Sequence, residues 1–362
     1  MNPLEHELAY PWPEAPAPGA VAELRPGLYW VRMPLPFALD HINLWLLADE
    51  IDGRRGWTIV DCGIASDGTK AAWERIFDTV FEGRPLLRLI ATHFHPDHLG
   101  LSHWLAAGGE RRRWHAPLWM SATEWTIGRL LSQSRGELGR QAGDRSAEHF
   151  ARHGLTDADS LEKVRARGGG YYPKLVPDVP ASYRRIQHGQ SIAVGPHGAR
   201  RVFEVIVGHG HAPEHVSLFC AEEKLLVAGD MVLPRISTNV SVFDVEPEGN
   251  PLPEYLRSLD RYLQLPQDTL VLPSHGLPFT GLHRRIAQQH AHHLARLDEV
   301  HAACARPATA AEMVPVLFKR DLDLHQTTFA LGESLAHLNA LWFDGRLRRT
   351  LDADGIYRFV QA

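Results

Sequence analysis

Features that would place a chain in several special classes of protein are scarce in this sequence. Only three of its 362 residues are cysteines, Cys62, Cys220 and Cys304, and they are far apart, so no disulfide framework is expected and a reducing, cytoplasmic compartment is predicted. No apolar run is long enough to cross a bilayer. The first 20 residues are rich in proline and have no basic region followed by an apolar one. Residues 1–20 are therefore interpreted as an extended N-terminal arm rather than a secretory signal.

Positive charge is also not in excess. The formal net charge is −5, so no general attraction to nucleic acid or to anionic membranes is expected. Hydrophobic residues make up 44% of the chain, as in ordinary globular proteins. The length is sufficient for one large domain and one small one. The sequence alone does not fix an oligomeric state.

The most informative stretch is Thr-His-Phe-His-Pro-Asp-His-Leu-Gly at residues 92–100. His93 and His95 alternate after a short apolar run that is predicted to be a buried strand, so both side chains can point to one side of the chain. Asp97 and His98 follow at the predicted start of a helix. Three imidazoles and a carboxylate in so short a loop suit the binding of divalent metal and the activation of water.

Potential ligands recur farther along the chain, again directly after predicted strands. An alternating strand at 201–207 precedes a histidine-rich loop, a strand at 224–228 precedes Asp230, and a strand at 269–272 precedes His275. The strands and helices fall into two halves. In each half, strands are followed by potential ligands, which would lie at one edge of a sheet. This order predicts an α/β protein with an αββα sandwich.

These motifs resemble the signature of the metallo-β-lactamase-fold hydrolases, in which the loop reads His-x-His-x-Asp-His. The resemblance extends from about residue 27 to residue 279 and implies a hydrolase domain over residues 21–280. It implies two divalent metal ions, most simply zinc, with manganese or iron as alternatives. It also implies a hydroxide that bridges the metals as the nucleophile, which Asp97 would orient.

The resemblance further implies a division of the ligands. The first metal ion would be held by His93, His95 and His211, the second by Asp97, His98 and His275, and Asp230 would bridge the two.

Two other residues are assigned supporting roles beside the ligands. Asp61, at the end of a predicted strand, would support the metal loop, and His215 would support its own loop. The family motif His-Thr-x-Gly-His is altered here to His-Ala-Pro-Glu-His over residues 211–215. The spacing still selects His211 as the ligand, and His209 is the alternative.

An insertion is predicted over residues 121–185, where the strand pattern lapses. Helices are predicted at 122–132 and 146–153, and Gly168-Gly169-Gly170 precedes two aromatic residues. A long insertion between the halves of a core is a natural substrate wall, although it can also be a packing element. Tyr171 and Tyr172 are the candidate substrate contacts.

The last 80 or so residues, 281–362, are predicted to form a separate small domain. Three helices, one opened by a capping box at Thr309, and a hairpin resemble a winged-helix module. Its arginines could contact nucleic acid, but a solvated surface is the favoured interpretation. The same holds for the basic triplet at residues 111–113, for which a phosphate-binding patch is the alternative.

The predicted function is hydrolysis of a thioester or another activated acyl ester, as in the glyoxalase II-like members of the family. Asp230 disfavours a true β-lactamase, where the family has Cys or Ser. Phosphodiester cleavage, as in small endoribonuclease members, is the alternative, and a non-catalytic metal or redox scaffold is the third. A small-molecule acyl substrate is favoured over nucleic acid because the chain is acidic and its basic clusters are short.

Overall fold

The computed structural model describes residues 2–168 and 170–362. Gly169, the middle glycine of the predicted glycine triplet, lies outside them. Within these ranges the strands form a seven-stranded sheet, a five-stranded sheet and a two-stranded hairpin. None of the helices in the described part of the chain combines the length and the apolar character that a membrane crossing needs.

The first sheet contains seven strands in sequence order. They are β1 (Val21–Arg25), β2 (Leu28–Pro34), β3 (His41–Ile51), β4 (Arg54–Val60), β5 (Leu86–Ile90), β6 (Leu118–Met120) and β7 (Tyr183–Arg185). The strands from β1 to β4 are antiparallel, and those from β4 to β7 are parallel.

The second sheet has the order β12-β11-β10-β9-β8. Its strands are β8 (Ser191–Val194), β9 (Arg201–Gly208), β10 (His215–Cys220), β11 (Leu225–Gly229) and β12 (Leu270–Pro273). The strands β11 and β12 pair in parallel, and the others pair antiparallel. The carboxyl ends of β5, β9, β11 and β12, which precede the predicted ligands, are brought to one edge of the sandwich, where Val216 N donates to Thr92 O across the two sheets.

The helices cover the outer faces of both sheets. They are a 3-10 helix at Glu5–Glu7, then α1 (Asp67–Thr79), α2 (Pro96–Leu99), α3 (Ser102–Ala106), α4 (Ala122–Ser132), α5 (Gly136–Arg152), α6 (Ala158–Gly168), α7 (Tyr171–Leu175), α8 (Pro251–Tyr262), α9 (Leu282–Ala303), α10 (Ala310–Leu317) and α11 (Leu324–Phe343). The terminal hairpin is formed by β13 (Leu347–Leu351) and β14 (Tyr357–Gln361).

Three separate layers of apolar side chains establish the αββα order. Trp30 and Trp45 lie between the two sheets, with ring centroids 6.5 Å apart. Trp73 of α1 packs on the outer face of the first sheet, and Tyr255 of α8 belongs to the layer outside the second sheet. Because β2 and β3 are covered on both faces, their sequences are almost continuously apolar. The predicted sandwich is therefore confirmed.

The insertion is more helical than the sequence indicated. The predicted helix at 146–153 begins ten residues earlier, at Gly136, and α6 and α7 were not predicted. Glycines normally disfavour a helix, but Gly143 is needed here for contact between helices. A Cβ at Gly143 would lie 2.2 Å from Arg165 O of α6. Tertiary packing therefore overrides local propensity in α5.

The C-terminal segment follows the predicted order of three helices and a hairpin. Thr309 and Glu312 form the predicted capping box at the start of α10. The N-terminal arm packs rather than extending into solvent: Asn2 N donates to Arg235 O, and Ala9 pairs with Thr280. The likeness to a winged helix and the predicted domain boundaries stay predictions. The three cysteines are buried and unpaired.

Candidate metal centre

The loop after β5 supplies the first four candidate ligands. His93 and His98 are completely buried, and α2 begins with Pro96, whose fixed φ suits the first turn of a helix. Asp97 and His98 therefore face back toward His93 and His95 from the first turn of α2. The loop is held by Asp61, whose Oδ1 accepts from Thr92 N at 2.7 Å.

The other candidate ligands arrive from the second sheet. His211 follows β9, Asp230 follows β11 and His275 follows β12. The side chains of His211 and His275 are only 4% and 3% exposed. Ligand atoms of His93, His95, His211 and Asp230 lie within 4.8 Å of one another, as do those of Asp97, His98 and His275. These two groups contain the seven candidate ligands that the resemblance implied, with Asp230 in the first group; their roles as metal ligands stay predictions.

The carboxylate of Asp230 faces both groups at once. Its Oδ2 lies 3.3 Å from His211 Nε2 in the first group. Its Oδ1 lies 3.5 Å from His98 Nε2 and 3.4 Å from His275 Nε2 in the second group. Asp97 Oδ2 lies 3.4 Å from His275 Nε2. The Asp230 carboxylate therefore lies between the two groups of candidate ligands.

Each of three imidazoles is oriented through its Nδ1. His211 Nδ1 donates to Asn239 O at 2.7 Å, and His275 Nδ1 donates to His41 O at 2.7 Å. His98 Nδ1 lies 2.8 Å from Asp61 Oδ2. In a neutral ring these hydrogen bonds keep the proton on Nδ1, because the oxygen atoms can only accept. The lone pair is then on Nε2, which is directed at the cluster. Such outer hydrogen bonds fix the tautomer and orientation that metal ligation requires.

The buried polar atoms of the cluster fit metal cations. Among the described residues, His98 Nε2 and Asp230 Oδ1 are buried without a hydrogen-bond partner. Unpaired buried polar atoms are costly unless a ligand satisfies them. Burial opposes ionisation of Asp97, but protonated His98 and His275 hold its pKa at about 2, and against the effect of burial Asp230 and Asp97 in turn raise the pKa of His275 to about 10. Divalent cations would replace these protons, and the ionised carboxylates with imidazole lone pairs would then be a donor set for a metal such as zinc.

The two remaining histidines of the second loop differ sharply. His209 Nδ1 lies 2.6 Å from Pro213 O, and the half-buried ring belongs to neither group of ligand atoms in the described chain. His215 lies beneath the cluster, where its Nε2 accepts from Asp230 N at 3.1 Å. A Cβ at Gly229 would lie 2.3 Å from His215 Nε2, so only glycine fits beside this ring. The geometry thus favours His211 over His209.

Glu124 of α4 is a central residue that the sequence did not reveal. It is completely buried, and its carboxylate accepts from Phe94 N at 2.9 Å and from Glu214 N at 2.6 Å. Phe94 lies in the first ligand loop and Glu214 in the second, so one side chain joins both loops. Burial raises the pKa of Glu124 to about 7. In the sequence, Ser121 and Glu124 have the spacing of a capping box. This pattern indicates a helix cap and gives no sign that Glu124 joins the two loops.

The two predicted substrate tyrosines have different surroundings. Tyr172 is directed inward, and its hydroxyl donates to Phe94 O in the ligand loop. Tyr171 is directed toward His325 of α11, with ring centroids 5.8 Å apart. Both lie in α7 rather than in a flexible loop. Tyr172 therefore contacts the metal loop through its hydroxyl, whereas the Tyr171 ring faces α11.

Two family models match the chain. The one described as "Metallo-beta-lactamase superfamily" matches residues 39–275, and the one described as "Metallo-beta-lactamase-like, C-terminal domain" matches residues 297–362. The first contains six of the seven predicted ligands in its interior and ends at His275, the seventh.

Similar proteins are known from several bacteria. The "Probable metallo-hydrolase YqjP" of Bacillus subtilis (strain 168) is 23% identical over 342 residues, which are 90% of this chain and 96% of the relative. The crystal structure of a beta-lactamase domain protein from Burkholderia ambifaria is 53% identical over the full length of both chains, with a TM-score of 0.93. The metallo-beta-lactamase family protein TTHA1429 from Thermus thermophilus is 28% identical, with a TM-score of 0.74, over 94% of this chain and 100% of that one.

Proposed function

Because the chain belongs to the metallo-beta-lactamase superfamily, whose model matches residues 39–275, we propose that it is a hydrolase that uses two divalent metal ions to cleave a thioester or another activated acyl ester. The observation that carries the proposal is the division of seven candidate ligands into two groups, with the Asp230 carboxylate facing both. Zinc fits this mixture of imidazole and carboxylate, and manganese and iron remain alternatives.

The residues have separate roles in the proposed reaction. His93, His95 and His211 would hold one cation, and Asp97, His98 and His275 the other. When bound, such cations supply an activated water nucleophile and stabilise the negative charge that develops on the attacked oxygen.

Asp97 is the candidate catalytic carboxylate among these ligands. Its side chain is 19% exposed, against 0% for His98 and 3% for His275, so a substrate could approach it more readily than those imidazoles. Because its pKa of about 2 keeps it ionised at neutral pH, it can accept a hydrogen bond from the attacking water and orient it.

The preference for an acyl substrate rests on the two basic segments, in which most of the arginines are paired with carboxylates. Arg111 Nη2 lies 2.6 Å from Asp78 Oδ2, and Arg112 Nη1 lies 2.7 Å from Glu74 Oε2. In the hairpin, Arg358 Nε lies 2.7 Å from Asp352 Oδ2. A nucleic acid needs a track of cations that are available to phosphates. These pairs support the interpretation of both basic segments as solvated surface.

The proposal is tested by metal analysis and a substrate panel. We expect two equivalents of divalent metal per chain, with turnover of acyl thioesters faster than that of lactones or bis(nitrophenyl) phosphate. Asp230→Ala, which removes the shared carboxylate, is the negative control. Efficient cleavage of single-stranded RNA that falls steeply with salt, beside negligible thioester turnover, would refute the acyl proposal in favour of phosphodiester hydrolysis. One firmly bound metal ion per chain would contradict the dinuclear assignment.

A further inference from the structure

Aromatic rings from four separate segments meet beside the metal centre. The aromatic wall consists of Phe37, Tyr171, His325, Phe329 and Phe243. His325 is its centre: its ring centroid lies 5.4 Å from Phe37, 5.8 Å from Tyr171 and 5.0 Å from Phe329. Phe329 and Phe243 each remain 37% exposed. The wall is thus a partly open apolar surface rather than a closed core.

One side of the wall is fixed to the first ligand loop. Tyr171 lies in α7, and α7 packs on α2, the helix that bears Asp97 and His98. This packing places Tyr171 on a helix that contacts the bearer of Asp97. A molecule lying on Tyr171 is therefore next to the first ligand loop.

The other side of the wall is fixed to the second group of ligands. Asn239 O accepts from the ligand His211, and Asn239 Nδ2 donates to Glu333 of α11 at 3.4 Å. Two residues farther on, Ser241 Oγ donates to Asn239 Oδ1 at 2.9 Å and lies 3.4 Å from Phe329 O. The C-terminal helix α11 thus carries His325 and Phe329 along the border of the metal centre.

The guanidinium cation of Arg167 lies at the aromatic wall, and the side chains that it contacts there are neutral. The guanidinium of Arg167 lies 4.1 Å from the centre of the Tyr171 ring, and its other contacts are Thr328 Oγ1 at 3.5 Å and His325 Nδ1. Burial and then the charge of Arg167 lower the pKa of His325 to about 4, so this imidazole is neutral. Among the described residues, no carboxylate lies within 4.0 Å of the Arg167 guanidinium.

Other charged groups of the insertion are of two kinds. Arg129 pairs with Asp178 at 2.5 Å, and Lys163, one turn before Arg167 on α6, pairs with Asp159 at 2.6 Å. Arg135 and Arg152 have no carboxylate partner in the described chain, but their contacts, Pro177 O and the Tyr357 hydroxyl, lie outside the aromatic wall. A half-buried guanidinium beside aromatic rings is weakly hydrated and suits recognition of a carboxylate or phosphate. A carboxylate or phosphate of a bound ligand would supply the counter-charge that Arg167 lacks.

We propose that the aromatic wall and Arg167 form a substrate subsite for an apolar chain that carries an anionic group. The rings contact the apolar chain, and Arg167 pairs with the carboxylate or phosphate. This inference rests on the proposed function, and it deepens it by naming the substrate class: an anionic acyl compound rather than a neutral ester. The C-terminal domain, through α11, then contributes directly to specificity.

Binding of unreactive probes tests the subsite independently of turnover. The probes are octanoate, octyl phosphate and 1-octanol, titrated into the metal-loaded protein by calorimetry. We expect both anionic probes to bind more tightly than the neutral alcohol. Arg167→Gln should weaken the anionic probes about tenfold, the loss of one charge-assisted contact, and leave the alcohol unchanged. Lys163→Gln, the same charge change on the same helix, should alter none of the three.

Further variants separate the parts of the subsite. Phe329→Ala should weaken all three probes alike, because it removes contact with the shared octyl chain. Arg167→Lys keeps the charge and should retain most of the anionic preference, even if Arg167→Gln folds poorly. A greater loss for octyl phosphate than for octanoate would identify phosphate as the natural anionic group, and the reverse would identify carboxylate.

Two results would overturn the subsite. One is equal binding of anionic and neutral probes by the unaltered protein. The other is anionic binding that survives Arg167→Gln, since the anion would then be held at the ligand cluster. Neither result depends on the reaction, so an enzyme inactive on thioesters can still possess the subsite, and an active thioesterase can still fail this test.

Discussion

The metal centre and the aromatic wall are adjacent, yet they are built in opposite ways. In the metal centre the candidate ligands are almost completely buried, and His98, His211 and His275 are each fixed by a hydrogen bond at Nδ1. In the wall the rings are partly exposed and meet mainly through apolar contact around His325. The centre defines positions of single atoms, whereas the wall defines only a surface.

This difference corresponds to the different demands of chemistry and recognition. Water activation requires ligand atoms held within fractions of an ångström, which only a supported and desolvated cluster provides. Recognition of an apolar chain tolerates variation in ring position, because hydrophobic contact has no direction. We therefore expect substitutions in the centre to abolish activity and those in the wall to change affinity.

The largest effect is expected at the third histidine. His211→Ala should remove at least one metal ion and nearly all activity, because its Nε2 faces both His93 and Asp230. His209→Ala should keep both metal ions, since His209 contacts Pro213 O outside the cluster. Elemental analysis of the two purified variants decides the assignment. Loss of metal from the His209 variant alone would reverse it.

A smaller but substantial effect is expected at Glu124. In Glu124→Gln only one oxygen remains to accept from Phe94 N and Glu214 N, so one loop loses its tie to the other. We expect metal affinity to fall about tenfold, as for other groups that orient ligands. Competition with a chromophoric chelator measures it, with exposed Glu137→Gln as the matched control. Unchanged affinity would show that the two loops hold their positions without this bridge.

The two adjacent tyrosines should separate the centre from the wall. Tyr171→Ala should raise KM about fivefold, the loss of about 1 kcal/mol of ring contact, with kcat and metal content unchanged. Tyr172→Phe removes the donor to Phe94 O and should lower kcat while leaving KM nearly constant. Steady-state kinetics on the best thioester of the panel distinguishes them. The same kinetic change in both variants would mean that α7 acts as one packing unit.

The smallest effect on the reaction is expected at Glu333, whose influence is on stability. Burial raises its pKa to about 7, whereas glutamate in an unfolded chain titrates near about 4.3. Between these values the folded protein keeps a proton that the unfolded chain has released, so the free energy of unfolding falls as pH rises. Above this window the cost of the buried charge is complete.

Glu333→Gln should therefore be more stable than the unaltered protein at pH 8, by up to about 3 kcal/mol, and nearly equal to it at pH 4.5. Denaturant unfolding in the presence of a chelator at the two pH values measures this difference without the contribution of metal. The exposed Glu246→Gln serves as control. A stabilisation that is the same at both pH values would exclude the titration of Glu333 as its cause.

Several elements could be predicted because they depend on local pattern. The alternation of His93 and His95 after an apolar strand, the turn into α2 and the capping box at Thr309 are all present as predicted. Each of these features depends on neighbouring residues, on side-chain periodicity and on backbone preference, all of which are visible in the sequence. The grouping of the seven candidate ligands could be anticipated only through the family resemblance.

Which distant residues act together became clear only in the folded chain. Glu124 has the spacing of a helix cap, yet folding places it between Phe94, 30 positions away, and Glu214, 90 positions away. Tyr171 and Tyr172 are adjacent in sequence but point to different surroundings, and α11 reaches the metal centre only because the C-terminal helices pack on the second sheet. Local pattern fixes the direction of a side chain relative to its own element. Which partner it meets depends on long-range packing, for which the sequence carries no local signal.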